Sequence, residues 1–197
     1  LLFCAVVAGC AGATPPPASA PTPTPAQAAA PAAAVPSEIR WARDRKLAWT
    51  DFRGPAPANG AEGARTVYLL SYGSRCRGED FSFDVSAVFL PAQSWVKPRV
   101  LTSPSESARV LGHEQTHFDL TEVYARRMRR YFAGLYNPCA LVDEQLRESV
   151  DRFVKDEAES QRRYDQETGH GLMVERQRAW DRTVAELLGE LAKFTGN

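Results

Sequence analysis

The stretch SPSESARVLGHEQTHFDLTEVYARRMRR, residues 103–130, decides the fold of this chain. Ser103, Pro104 and Glu106 form a helix start: the serine caps, the proline takes the first helical position without losing a hydrogen bond, and the glutamate reaches back toward the cap. Beyond it Val110, His113, His117, Leu120, Tyr124, Met128, Tyr131 and Leu135 recur at steps of three and four, the spacing of one helix face. A helix is therefore predicted from Ser103 to about Gly134, with two histidines in its buried stripe. Arg126, Arg127, Arg129 and Arg130 are expected on a solvated face, where they complement the C-terminal end of the helix dipole.

Upstream the period changes. Phe81, Phe83, Val85, Ala87 and Phe89 alternate with Ser82, Asp84, Ser86 and Val88, which predicts a strand over 80–90. Residues 65–72 predict another, Leu47-Ala48-Trp49 a shorter one, and 54–64 a loop rich in Gly, Pro and Ala. Downstream, Asn137-Pro138 opens a second helix running to about Thr168, with Leu146, Val150, Phe153, Glu157 or Ala158, and Tyr164 inward. A third helix follows Gly169-His170-Gly171, with Met173, Trp180, Val184, Leu187 and Leu191 inward. Strands first and helices after predict an α+β fold, an N-terminal twisted sheet followed by three helices.

Residues 113–117, HEQTH, are an H-E-x-x-H sequence on the first long helix. Four helical residues turn through roughly 400°, so His113 and His117 project from one side and can share a metal ion. Glu114 lies about 100° round, near enough to reach a water at that metal without binding it. Neutral imidazoles suit Zn²⁺, which lowers the pKa of a bound water to about 7. A carboxylate beside that water can take its proton and hand it to a leaving amine. Catalytic zinc usually has three protein ligands. His170, between two glycines, is the leading third ligand, with Asp165 and Glu122 as competitors. Tyr164 is a candidate donor to a developing oxyanion, and Asp165 a candidate acceptor that orients a ligand histidine.

The 24 Lys and Arg balance the 24 Asp and Glu, so no field that seeks nucleic acid arises. All 48 charges lie from Glu38 onward, and those 160 residues suffice for one domain, 38–197. Residues 1–10 suit the apolar end of a signal peptide, and Val7-Ala8-Gly9-Cys10 resembles the lipobox of bacterial lipoproteins. The sequence opens at Leu1 with no Met and no basic segment, so the natural N-terminus is expected upstream. From Ala11 to Pro36 there are 11 Ala and 8 Pro in 26 residues, an extended spacer; residues 11–37 are taken as linker. These features predict an extracytoplasmic protein, in the bacterial periplasm or at the outer membrane, held to a membrane only by lipid on Cys10. Cys76 and Cys139 then remain as a pair for a disulfide in an oxidising compartment, or as two separate thiols.

The blocks LAWTDFRG (47–54), QSWV (93–96), VLGHEQTHFDLTEVYARRMRR (110–130), YDQETGHG (164–171) and QRAW (177–180) resemble the bacterial secreted zinc-protease-like family known as domain of unknown function 922. The resemblance implies a zincin-type peptidase fold with His113 and His117 as metal ligands, Glu114 as the catalytic carboxylate and His170 as the third ligand. It also implies a peptide or protein substrate lying along a sheet edge, for which strand 80–90 is the candidate. The function expected is a secreted or lipid-anchored zinc metallopeptidase. The competing expectation is a non-catalytic envelope lipoprotein in which zinc is structural and the domain binds a partner.

Overall fold

Five strands, Ile39–Arg40 (β1), Ala64–Arg65 (β2), Tyr68–Arg77 (β3), Asp80–Phe89 (β4) and Trp95–Val96 (β5), precede four helices, Pro98–Leu101 (α1), Pro104–Ala133 (α2), Asp143–Thr168 (α3) and Val174–Glu190 (α4). They come from a computed structural model that describes residues 36–141 and 143–196. The signal segment, Cys10 and the spacer as far as residue 35 lie outside the described residues. Among the described residues no helix is long and apolar enough to cross a membrane.

The chain is α+β, with an antiparallel sheet in the order β1-β4-β3 and a separate β2-β5 pair. β3 and β4 form a hairpin from Tyr68↔Phe89 to Arg77↔Asp80. Gly78, at φ +62°, takes the left-handed position that a two-residue turn needs. The alternation expected over 80–90 is realised except at Val88, which is buried on the opposite face: Val85, Ala87 and Phe89 are buried against Phe118, Ala125, Met128 and Phe132 of α2, with Phe81 and Phe83 packed on the same cluster. β4 pairs with β3 along its length and with β1 only at Val88 and Phe89, and none of its residues borders the cavity described below. The disulfide Cys76–Cys139 forms, with Cα atoms 5.8 Å apart, and ties the end of β3 to the turn at Pro138–Ala140.

α2 starts as expected, with Ser103 Oγ accepting from Glu106 N–H. Its environment is not the one-sided packing that the stripe suggested. The sheet covers one side, while Leu120, Val123 and Tyr124 pack with Tyr164, Trp180, Val184 and Leu191 of α3, α4 and the C-terminal turn on the other. Positions off the stripe are therefore internal too, and the arginines divide: Arg126 and Arg129 turn inward, Arg127 is partly exposed, and Arg130 is exposed in the last turn as expected. Arg126 is fully buried, donating Nε–H to Glu122 Oε1 at 2.8 Å and Nη1–H to the Leu188 carbonyl at 2.7 Å, beneath the Trp41 ring. Arg129 donates to the Val85 and Phe194 carbonyls and to the same Glu122. A buried cation is tolerable only when paired in this way.

Other differences have local causes. Leu47-Ala48-Trp49 is not a strand: Gln115 Oε1 takes the Leu47 N–H and Asp51 Oδ2 the Ala48 N–H, and a 3₁₀ turn follows over Trp49–Asp51. The second long helix begins at Asp143 rather than at Pro138, where a separate 3₁₀ turn stands. Met173 precedes α4 and is exposed, not inward.

Candidate metal centre

α2 and α3 meet through two polar stripes. His113, His117 and Thr121, at steps of four along α2, face Asp165, Gln161 and Glu157, at steps of four along α3. His113 Nε2 and His117 Nε2 each lie 3.1 Å from Asp165 Oδ1 and 3.2 Å from each other. Both histidines are buried, and Asp165 is half-buried.

Their tautomers follow from the neighbouring amides. The Gln161 Nε2 group donates to Glu157 Oε1 at 2.7 Å and to the His117 carbonyl at 3.0 Å, so its Oε1 must be the atom 2.7 Å from His117 Nδ1. That oxygen only accepts, so His117 carries its proton on Nδ1. Gln177 does the same for His113: Nε2 donates to Asp181 Oδ1 at 2.8 Å, and Oε1 faces His113 Nδ1 at 3.1 Å. Both neutral imidazoles therefore turn bare Nε2 lone pairs toward a carboxylate oxygen. Three acceptors within 3.2 Å of one another repel unless a cation or extra protons lie among them. Two imidazoles and one carboxylate are a donor set suited to zinc, and the glutamines are the outer partners that fix ligand orientation.

Where protons fill that role, the titrations move accordingly. Burial alone would lower the pKa of His117, but the Asp165 hydrogen bond and the charges of Glu114 and Asp165 outweigh it and raise it. Burial opposes ionisation of Asp165, yet the hydrogen bonds and charges of His113 and His117 hold its carboxyl far below the usual range. Glu157 is pushed up by burial, against hydrogen bonds from Gln161 and Thr121.

Glu114 is buried beside the cluster. Its Oε2 accepts from Thr66 N–H at 2.7 Å, just beyond β2, while Oε1 has no partner among the described residues. The carboxylate is thus oriented by one oxygen and left free at the other. Both Glu114 and the cluster open on a cavity of about 1040 Å³, bordered by the 55–66 segment, Tyr68, Trp95, Arg109, His170 and Leu172.

Two residues stand elsewhere than expected. Asp165, not His170, contacts both histidines. His170 lies beyond the end of α3 with 69% of its side chain exposed, and its Nδ1 is 3.5 Å from Asp165 Oδ1. The turn carrying it has three successive left-handed residues, Gly169, His170 and Gly171, and a Cβ on Gly171 would lie 3.0 Å from the His113 ring. Tyr164 is wholly buried and turned away from the cavity. Its hydroxyl donates to the His113 carbonyl at 3.1 Å and pairs with Gln177, and its ring stacks on His113 with centroids 4.7 Å apart. Burial raises its pKa, and its hydroxyl is engaged by His113 and Gln177 rather than facing the cavity.

Glu122, the other competitor for a ligand position, is engaged by Arg126 and Arg129 instead. The sequence reading also missed Gln161, Gln177 and Tyr68. The repeat of Glu157, Gln161 and Asp165 at helical spacing was the available signal for the first.

A family model described as "Bacterial protein of unknown function (DUF922)" matches residues 46–171, more than half of the chain. That span holds HEQTH and Asp165 and ends before Gln177. No curated protein and no solved structure matches.

Proposed function

The chain belongs to the DUF922 family of bacterial proteins of unknown function, and for this member we propose a zinc metallopeptidase that hydrolyses peptide bonds. The observation that carries the reading is the convergence of three lone-pair atoms, His113 Nε2, His117 Nε2 and Asp165 Oδ1, beside a carboxylate with one free oxygen on an open cavity.

His113, His117 and Asp165 would hold the ion, and His170 Nδ1 lies 3.5 Å from the same Asp165 oxygen. Zinc, when bound, lowers the pKa of water and polarises a carbonyl. Glu114 takes a proton from the attacking water as its oxygen bonds to the carbonyl carbon and the carbonyl electron pair moves to oxygen. When that pair returns and the C–N bond breaks, Glu114 gives the proton to the departing nitrogen. Thr66 N–H keeps Glu114 aimed throughout. An extended peptide lies along Ala64–Thr66, which border the cavity, rather than along β4.

A secreted, lipid-anchored location fits this reading: the Cys76–Cys139 disulfide suits an oxidising compartment, and Cys10 with its Ala/Pro spacer would supply anchor and reach. The competing binding-module reading requires a closed zinc site, since structural zinc has four protein ligands. Among the described residues the convergent group has three members and a cavity above it, which favours catalysis.

The deciding experiment pairs elemental analysis with hydrolysis of an unstructured protein such as casein. Glu114→Gln should retain about one zinc per chain and lose at least 100-fold in rate, within the range that general base catalysis supplies. Undiminished cleavage by that variant would reject the mechanism.

A further inference from the structure

Resting on the peptidase reading, we propose that Tyr68 is the residue that donates a hydrogen bond to the scissile carbonyl oxygen as it gains negative charge. A site that creates an oxyanion needs a preorganised donor aimed at it, and the Tyr164 hydroxyl is committed elsewhere.

The other donors around the cavity are largely occupied. Arg65 pairs with Glu62, Arg99 with the Ala61 carbonyl and Glu106, and Arg109 with the Gly171 carbonyl. Thr66 Oγ1 donates to the Glu114 carbonyl. Tyr68 differs from these, and from Trp95 and His170, which also border the cavity, in that its ring is packed against that of His117. It lies at the start of β3, lines the cavity with His113, Glu114, His117 and Asp165, and its hydroxyl has no hydrogen-bond partner among the described residues.

Its ring is held nearly parallel to that of His117, at an interplanar angle of 18° and a centroid separation of 6.3 Å, so the phenol keeps a fixed relation to the ligand histidine. A phenol so placed has its O–H free to donate to an oxygen held beside the cluster.

The test is zinc binding by chelator competition, then acetohydroxamate binding to the zinc-loaded chain by titration calorimetry. Acetohydroxamate carries a charged oxygen beside a carbonyl and needs open positions at the metal. Tyr68→Phe should bind zinc as the wild type does and acetohydroxamate at least 10-fold more weakly, the scale of one hydrogen bond to a charged group. Tyr72→Phe, exposed on the same strand, should match the wild type in both and serves as the control for the strand.

Wild-type acetohydroxamate affinity in Tyr68→Phe would overturn the proposal and leave the peptidase reading standing. Loss of zinc from a folded Tyr68→Phe would also overturn it, making Tyr68 a positioning residue for the cluster. A zinc-loaded wild type that binds no acetohydroxamate would show a closed site and reject both.

Discussion

Replacing Gln161 by leucine tests the tautomer argument, because the side chain keeps its approximate volume and loses only its polar atoms. Gln161 accepts from His117 Nδ1 at 2.7 Å and donates to Glu157 Oε1 at 2.7 Å and to the His117 carbonyl at 3.0 Å, all within the buried interface of α2 and α3. The leucine leaves the His117 Nδ1–H without an acceptor, so the ring no longer has a reason to keep Nε2 bare. Outer partners of this kind are worth roughly 10- to 100-fold in metal affinity, or about 1.4 to 2.7 kcal/mol. Glu157 retains only Thr121 as donor. Two under-satisfied buried groups at about 1–3 kcal/mol each suggest a loss of about 2–6 kcal/mol, and a melting temperature lower by roughly 4–24 °C for a domain of this size. Zinc affinity is read by competition with a chromophoric chelator, and folding by calorimetry on the metal-free chain. A folded Gln161→Leu that binds zinc as tightly as the wild type would refute the assignment of His117 as the Nδ1–H tautomer.

Asp165→Ala should abolish zinc retention, whereas His170→Ala should keep at least half of it after dialysis against a weak chelator; the reverse order, read by elemental analysis, would restore His170 as the third ligand. Zinc affinity should fall as pH drops through the raised pKa of His117, because the imidazole must lose its proton to bind. The metal-free chain carries the opposite sign: a raised folded-state pKa contributes stability that is full below the ordinary histidine value of 6.5 and is lost as pH rises above it. Melting curves of the two forms across that window should therefore diverge, and parallel curves would contradict it. Reducing Cys76–Cys139 opens a loop of 63 residues and should cost about 4 kcal/mol on the chain-entropy model, near 10 °C in melting temperature; an unchanged melting temperature after verified reduction would show that the clamp adds nothing.

Features carried by local chemistry were legible in the sequence. The Ser103 cap, the α2 stripe, the β4 alternation and the two lone cysteines each depend on residues a few positions apart or on elimination, and the structure realises all of them. β1 was not legible, because two residues have no period; pairing Ile39 with Phe89 and Arg40 with Val88 is what makes them a strand. Arg126 and Arg129 were misplaced for a related reason: helix periodicity shows the most apolar face and says nothing of a helix enclosed on several sides. Which side chain joins the two histidines turned on geometry between elements. Gln161 and Asp165 share a face of α3, but that face becomes a ligand face only once α3 lies against His117. His170 has the better ligand chemistry on paper and sits two residues past the end of that helix.

The polar stripes of α2 and α3 explain why an expensive interior is retained. Thr121 with Glu157, then His117 with Gln161, form rungs in which each donor meets an acceptor, so burial of these groups is offset rung by rung. At the last rung the pattern changes, because His113, His117 and Asp165 bring acceptors alone. A chain selected only for stability would close such a ladder with a donor or with apolar side chains, since a half-satisfied buried network is worse than none. Tyr164 and Gln177 instead hold His113 in the acceptor orientation, and Thr66 reaches from beside β2 to aim Glu114 at the same place. Three elements thus spend ordered polar groups on keeping one position electron-rich, at the mouth of a cavity where a substrate can reach it. That arrangement is costly for a structural core and follows naturally if the position exists to hold a cation.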